Sequence, residues 1–384
     1  MQYNFDEIID RRGTDSFKWD FWGDDKSVIP MPVADMDFRC PEPVIEAMRL
    51  ATEHGIYGYS ICSSELVDLV IKQTFEKYNW KIEKYWIVWL PGMVPGITSA
   101  CHSVGKTDDS IMTTLPVYHP FHKGIDHANR KMISSYLIEK NGRYTLNFDE
   151  IERSFDSKTN LFLLCNPYNP GGTVFTEPEL RKLSEICLKN NTIVCSDEIH
   201  CELILDKTQK HIPYAALSKE AENLSITLLS PSKTYNIAGM GCSFAVIPNA
   251  EIRANFVKTK SGMVPELSRH AYLAALSAYR DCGDWYEQLI DYLKINHDYL
   301  LEKINAIPGL KMLPHQATYL AWIDCRASPI KNMQELLLKN GVRLIDGSLF
   351  KGEGFVRLNF ACPFSVLKTA VERIEKAIAE YDQN

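Results

Sequence analysis

Residues 160–200 read NLFLLCNPYNPGGTVFTEPELRKLSEICLKNNTIVCSDEIH. A continuous apolar run (160–165) leads into a loop with two Asn-Pro steps and the pair Gly171-Gly172. An amphipathic stretch follows at 177–189, then a second apolar run (192–196) that stops on Asp197. Apolar runs without alternation are what strands buried on both faces require. Strand, helix and strand in succession predict a mostly parallel sheet covered by helices.

Working outward, similar runs occur at 86–90, 110–115, 132–137, 226–230 and 242–247, which makes seven candidate strands. Upstream, Pro41 and Pro43 open a helix that runs through Met48 to His54 and is closed by Gly55. A second helix at 64–78 places Leu66, Leu69, Val70 and Phe75 at helical spacing. The first forty residues have no period and read as an extended arm ending in Ile29-Pro30-Met31-Pro32. From Glu266 the texture changes: helical segments at 266–279 and 284–306 lead into short strands near 319–323, 342–345 and 355–360, then a closing helix from Phe364. The expected architecture is α/β, a large domain with a mostly parallel seven-stranded sheet between helices plus a smaller α+β domain. Its expected division is 1–44 (arm and part of the small domain), 45–282 (large domain) and 283–384 (small domain).

A chain of 384 residues exceeds the roughly 250–300 at which one hydrophobic core stops growing, which agrees with two domains. Aromatic content of 11% argues against disorder, and a net charge of -7 argues against nucleic-acid binding. The 11 cysteines are odd in number and contain no C-x-x-C pair, so neither a disulfide framework nor a zinc site is expected. No apolar stretch approaches the roughly 18 residues of a membrane span, and the start lacks a signal peptide's apolar core. The expectation is a cytoplasmic small-molecule enzyme with reduced thiols.

In an open parallel sheet, ligands collect beyond the carboxyl ends of the strands. After 86–90 comes Pro91-Gly92-Met93-Val94-Pro95-Gly96, a turn into a helix whose free N–H groups suit a phosphate. After 110–115 comes Pro116-Val117-Tyr118-His119-Pro120-Phe121, where an aromatic could stack on a flat ring or could belong to the core. The loop after 160–165, with two Asn-Pro steps and two glycines, can aim an asparagine amide inward, or can be no more than a rigid loop. Asp197 and Lys233 each end a buried strand, where an unpaired charge is costly. A Schiff-base link to a carbonyl cofactor would neutralise the lysine. Together these residues ask for one ligand with a phosphate, a flat ring, a ring nitrogen that an acid keeps protonated, and an aldehyde. Pyridoxal 5′-phosphate has all four.

The ordered set NPYNPGG, SDEIH and SPSKTYNIAGM resembles the class I/II, fold-type I pyridoxal-phosphate enzymes. PMPVADMDF, HGIYGYS and PVYHPF are similar to the MalY/PatB subgroup of cystathionine β-lyases and other carbon–sulfur lyases. The resemblance spans essentially the whole chain. It implies that Lys233 is the Schiff-base lysine and Asp197 the partner of the ring nitrogen. It also implies that Asn169 and His200 sit near the phenolic oxygen and that Tyr118 stacks on the ring. Backbone at Met93 and Val94, with Ser230 and Ser232, would hold the phosphate. Arg357, in GFVRLNF, would bind a substrate α-carboxylate with its forked donors. Family members are homodimers with composite active sites, so Tyr59 would reach the neighbouring subunit's phosphate. One departure is Gly241, eight residues after the lysine, where many aminotransferases of the class carry a phosphate-binding arginine; its absence tilts towards a lyase.

The implied reaction is β-elimination from L-cystathionine or a related cysteine S-conjugate, yielding pyruvate, ammonia and a thiol. Two alternatives stand beside it: an aminotransferase using the same cofactor, and a regulatory protein on an enzyme-like scaffold. His119, His122 and His127 match no zinc spacing, so no metal is expected. The aromatics Phe17, Trp19, Phe21, Trp22, Phe38, Tyr57 and Tyr59 are expected on an arm that packs over the partner subunit and roofs the site.

Overall fold

A computed structural model describes residues 2–21, 23 and 25–381. Its central sheet has seven strands: β1 (Ile87–Leu90), β2 (Ser110–Leu115), β3 (Lys131–Tyr136), β4 (Thr159–Cys165), β5 (Ile193–Asp197), β6 (Ser225–Leu229) and β7 (Ser243–Val246). Their spatial order is β1-β7-β6-β5-β4-β2-β3. Every pair is parallel except those made by β7, which runs antiparallel to both β1 and β6.

Two-sided burial explains the unbroken apolar runs. Along β4, Leu161, Leu163 and Cys165 enter one core with Leu90, Ile97 and Leu228. Phe162 and Leu164 enter the opposite core with Leu180, Leu183 and Ile186. The period of two within a strand thus feeds two helical layers at once. The covering helices carry their own local signals. Ser63 caps the Ser64–Tyr78 helix by accepting from the Leu66 N–H, and Asn79 closes it at φ 53°. Thr176 and Glu179 form a reciprocal capping box on the Glu177–Lys189 helix.

A second, four-stranded antiparallel sheet orders Lys311–Met312, Leu320–Asp324, Phe355–Asn359 and Ile345–Asp346. The helices Gly283–Ala306 and Phe364–Tyr381 share its core. The single strand expected at 342–345 is two: Val342–Arg343 pairs in parallel with Ile29–Pro30, whereas Ile345–Asp346 pairs with Phe355–Asn359. The buried Leu344 sits at the break between two sheets that face different partners. A hairpin of Ile138–Lys140 and Arg143–Thr145 has no counterpart among the expected elements.

Part of the arm packs on its own chain: Phe5, Met31, Met36 and Phe38 belong to the small sheet's core. Phe38 meets Phe5 edge-on at 5.1 Å between centroids. Trp19 donates its indole N–H to Asp37 at 2.9 Å. Phe17, Phe21, Tyr57 and Tyr59 are exposed, and Trp22 lies outside the described residues. Apolar residues without a period find their burial through contacts distant in sequence, which local patterning does not encode.

Asp37 anchors this arm. It accepts from Lys18 Nζ at 2.7 Å and from Arg11 Nη1 at 2.7 Å, in addition to Trp19. Burial works against its charged form, but the two cations and the indole outweigh that, and the carboxyl stays below its ordinary range. Removing it strands the buried Lys18 without a counter-charge. Asp37→Ala should therefore destabilise the fold by about 3–5 kcal/mol at neutral pH. Because the folded pKa is depressed, this stabilisation exists above the unfolded value of about 4 and disappears below it. Urea unfolding of wild type and variant should show a deficit at pH 7 that shrinks as the pH falls below about 4.

Candidate active site

The carboxyl ends of β1, β2, β4, β5 and β6 converge on a cavity of about 160 Å³. Its lining includes Met93, Val94, Tyr118, Asn169, Asp197, His200, Ser232 and Lys233, with Ala34 from the arm and Gly241 from the approach to β7. Five segments far apart in sequence meet because parallel strands all open at the same edge, and the arm adds a sixth. A larger crevice, about 520 Å³, lies beneath the arm among Asp10, Arg12, Trp19 and Arg343; none of the sheet's strand ends reaches it.

The Met93–Ser103 helix begins at the cavity wall, directly after Gly92. Its first-turn N–H groups have no intrahelical acceptor and carry the positive end of the helix dipole. Across from it, Ser230 Oγ donates to the Cys242 carbonyl at 2.7 Å and lies 2.8 Å from Ser232 Oγ. Ser232 lines the cavity and Ser230 stands behind it. Gly241 has φ 66°, and a Cβ there would come within 3.0 Å of the Pro91 carbonyl, so this narrow wall requires glycine.

The loop after β4 is tied on both sides. Asn166 donates its N–H to the Asp197 carbonyl at 3.0 Å, and Tyr168 donates its hydroxyl to the Pro116 carbonyl. Gly172, at φ 68°, lies so close to His315 that any Cβ would overlap the ring. This frame fixes Asn169, whose side-chain oxygen accepts from Arg357 Nη1 at 3.2 Å. Arg357 is buried, donates through Nη2 to the Pro32 carbonyl at 2.9 Å, and lies over the Phe350 ring at 4.7 Å. Its Nε is buried without a partner among the described residues.

Asp197 is 3% exposed, and its side chain accepts from the Ile199 N–H at 3.2 Å. Desolvation lifts its carboxyl to about 7; neighbouring Glu198 adds to the rise, and the Ile199 N–H and Lys233 oppose it. Glu198 is satisfied separately by Ser196, His211 and the Tyr214 N–H. Lys233 Nζ donates to the Ala34 carbonyl at 2.6 Å. Burial brings this amine down to about 8, with Arg357 pushing the same way and Asp35 and Asp197 pulling upward. His200 is driven to about 3 by burial and the nearby cations, so its imidazole is neutral, with Nδ1 unpartnered among the described residues.

Of the residues singled out in the sequence, Met93, Val94, Tyr118, Asn169, Asp197, His200, Ser232 and Lys233 share the cavity wall, and Arg357 backs Asn169. Ser230 is one layer behind, and Tyr59 is fully exposed on a surface loop. Sequence reasoning missed Ala34, Asp35 and Tyr319. Ala34 and Asp35 lie inside a quoted motif, but nothing local tells that Ala34 meets a lysine about two hundred residues away.

The raised carboxyl of Asp197 has a thermodynamic consequence. A group whose folded pKa exceeds its unfolded value favours the folded state below the unfolded pKa and loses that contribution as pH rises through the folded one. Ionised Asp197 thus opposes folding of the ligand-free protein at alkaline pH. Asp197→Asn should raise its unfolding free energy by up to about 4 kcal/mol at pH 8 and change it little near pH 4. Chemical denaturation at the two pH values reads this difference.

Residues 26–374 match the family model described as aminotransferase class I and II. Cystathionine beta-lyase PatB of Bacillus subtilis (strain 168) is 35% identical over 387 residues, covering 98% of this chain and 100% of its own. The crystal structure of OvoB superposes with a TM-score of 0.95 at 39% identity, covering 98% of this chain and 99% of that one. Cystalysin from Treponema denticola, whose crystal structure contains a pyridoxal 5′-phosphate cofactor, superposes at 0.95 with 33% identity over 99% and 100% of the two chains. A match of this extent, over a sheet whose strand ends close on the same cavity, leaves one conclusion: the chain belongs to the class I and II aminotransferase family.

Proposed function

We propose that the protein is a pyridoxal-phosphate-dependent carbon–sulfur β-lyase, acting on L-cystathionine or a related cysteine S-conjugate to give pyruvate, ammonia and a thiol. The carrying observation is the pairing, on one enclosed cavity, of a desolvated amine (Lys233) with a desolvated carboxyl (Asp197), neither with an ion partner among the described residues. The full-length likeness to a cystathionine β-lyase selects this chemistry within the family.

The cavity fits that cofactor. Asp197, costly to ionise alone, gains a partner in a ring nitrogen that carries a proton. The first turn of the Met93–Ser103 helix and the Ser232 hydroxyl offer donors for a phosphate. Tyr118 supplies an aromatic wall, and Lys233 stands where an aldehyde must be met. Pyridoxal 5′-phosphate, when bound, supplies an aldehyde for an amine and a ring that withdraws negative charge from the substrate's α-carbon.

The chain's own residues do the rest. Lys233, with its proton affinity lowered to about 8, has a larger neutral fraction near physiological pH than an ordinary lysine, and in that form takes the α-proton at Nζ. The same nitrogen then carries a proton to the departing sulfur. Asp197 keeps its charge paired with the ring nitrogen's proton. Arg357, held flat by Asn169 and the Pro32 carbonyl, presents donors to the substrate carboxylate. His200 stays neutral and holds the phenolic oxygen with Asn169.

The same reading includes a homodimer with composite sites. Ile56, Tyr57, Tyr59 and Ile61 form a run of exposed apolar side chains, and Val94 and Met263 are exposed close to the cavity mouth. A second copy would bury them, bringing Tyr59 to the neighbouring phosphate, with Ser230 supporting Ser232 from behind. Within each copy we take 45–282 as the cofactor-binding domain and 283–384, with the arm 1–44, as the small one.

Lys233→Ala should lower turnover at least about 10³-fold and abolish the visible absorbance of the purified protein. Arg357→Met should raise KM for the thioether about 10- to 100-fold, from the loss of a charge-assisted contact. Incubation with cystathionine should release pyruvate and free thiol without added keto acid. Amino transfer that depends on a keto acid, without thiol release, would identify an aminotransferase instead.

A further inference from the structure

The segment 32–36 crosses the small-sheet side of the cavity as a strap, and its carbonyls are engaged one after another by site residues. Pro32 O accepts from Arg357 at 2.9 Å. Val33 O and Asp35 O both accept from Asn359 Nδ2 at 2.6 Å. Ala34 O accepts from Lys233 Nζ at 2.6 Å and from the Tyr319 hydroxyl at 3.1 Å. Met36 N–H closes the strap on Asn236 Oδ1 at 2.9 Å, three residues beyond the lysine.

The side chain of Asp35 is arranged differently. Oδ2 pairs with Arg11 at 2.6 Å, while Oδ1 is buried and has no partner among the described residues. A partly buried carboxylate with one paired and one unpaired oxygen is costly to the fold. We propose that Asp35 is a positioning residue for the reacting amine: clamped by Arg11 beside the Ala34 carbonyl that receives Lys233 Nζ when that nitrogen is free, it sets the negative field in which the amine exchanges protons.

The charges around Lys233 support this. Arg357 opposes protonation of the amine, and Asp35 and Asp197 favour it, with Asp35 the largest of the three. His200 is neutral, and the Tyr319 and Tyr118 hydroxyls are held protonated by burial. Asp197 is engaged by the ring nitrogen in the working enzyme. Asp35, whose one ion pair among the described residues is with Arg11 on the arm, is then the remaining carboxylate that tunes the lysine. The arm is thereby part of the active site through an ion pair.

The inference rests on Lys233 being the reacting amine, which Lys233→Ala tests separately: a variant that keeps the visible band refutes that assignment and not this one alone. With the assignment intact, purified holoenzymes carrying Asp35→Asn or Arg11→Met are titrated between pH 5 and 10. Two readouts are taken, the midpoint of the resting visible absorbance and the acid limb of kcat. Replacing the carboxylate by a neutral amide removes the anion that favours the protonated nitrogen, so Asp35→Asn should move both downward by about one pH unit. Arg11→Met leaves the Asp35 charge uncompensated and should move both upward. Opposite shifts are not expected from loosened packing. Unmoved midpoints, or shifts of the same sign in the two variants, overturn the proposal; should Asp35→Asn not fold, an Arg11→Met midpoint that fails to rise does so alone.

Discussion

The structure depends on one constraint: an amine and a carboxyl are held out of water at neighbouring strand ends without being paired to each other. Lys233 follows β6 and Asp197 ends β5, and these strands are adjacent and parallel. Desolvation drives both towards neutrality, the carboxyl upward and the amine downward, so their proton affinities approach one another near neutral pH. Such an arrangement is a liability for folding and an asset for proton transfer. It persists because the sheet behind it is packed on both faces and cannot easily relax.

The rest of the molecule arranges access to that pair. The Met93–Ser103 helix and Ser232 make one end of the cavity rich in donors, while Asn169 lines another part of it with the Arg357 guanidinium behind. Arg357 comes from the small sheet and Asn169 from the loop after β4, so their hydrogen bond is one of those that join the two layers. The strap crosses the same region, and its neighbour Asp37 carries the ion network that docks the arm. Stability of the arm and geometry of the site are therefore coupled through residues 32–37.

What could be read from the sequence was whatever is encoded locally. The seven strands are found within about a residue of their expected limits, because runs buried on both faces have no competing pattern. The 64–78 and 177–189 helices begin and end as expected, since Ser63 and the Thr176–Glu179 box are themselves local signals. Much of the cavity's lining was legible because residues that follow strand ends are ordered along the chain, whereas Tyr59 lies exposed on a loop and Ser230 and Arg357 stand off the wall. The arm was not: Phe38 and Trp19 take their places through partners in a distant core and in an ion network. The split at Leu344 was also hidden, because one short apolar run serves two sheets. Ala34 and Asp35 escaped notice for the same reason, their roles being defined by Lys233 and Arg11 rather than by their neighbours.

The central claim is that Nζ of Lys233 is the nitrogen that carries the cofactor. Borohydride reduction of the purified holoenzyme, followed by proteolysis and mass spectrometric mapping, fixes that nitrogen covalently wherever it is. The account predicts one pyridoxyl-modified peptide, with the label on Lys233 and in stoichiometric yield. A label on any other lysine, or none in protein that retains the visible band, would contradict it.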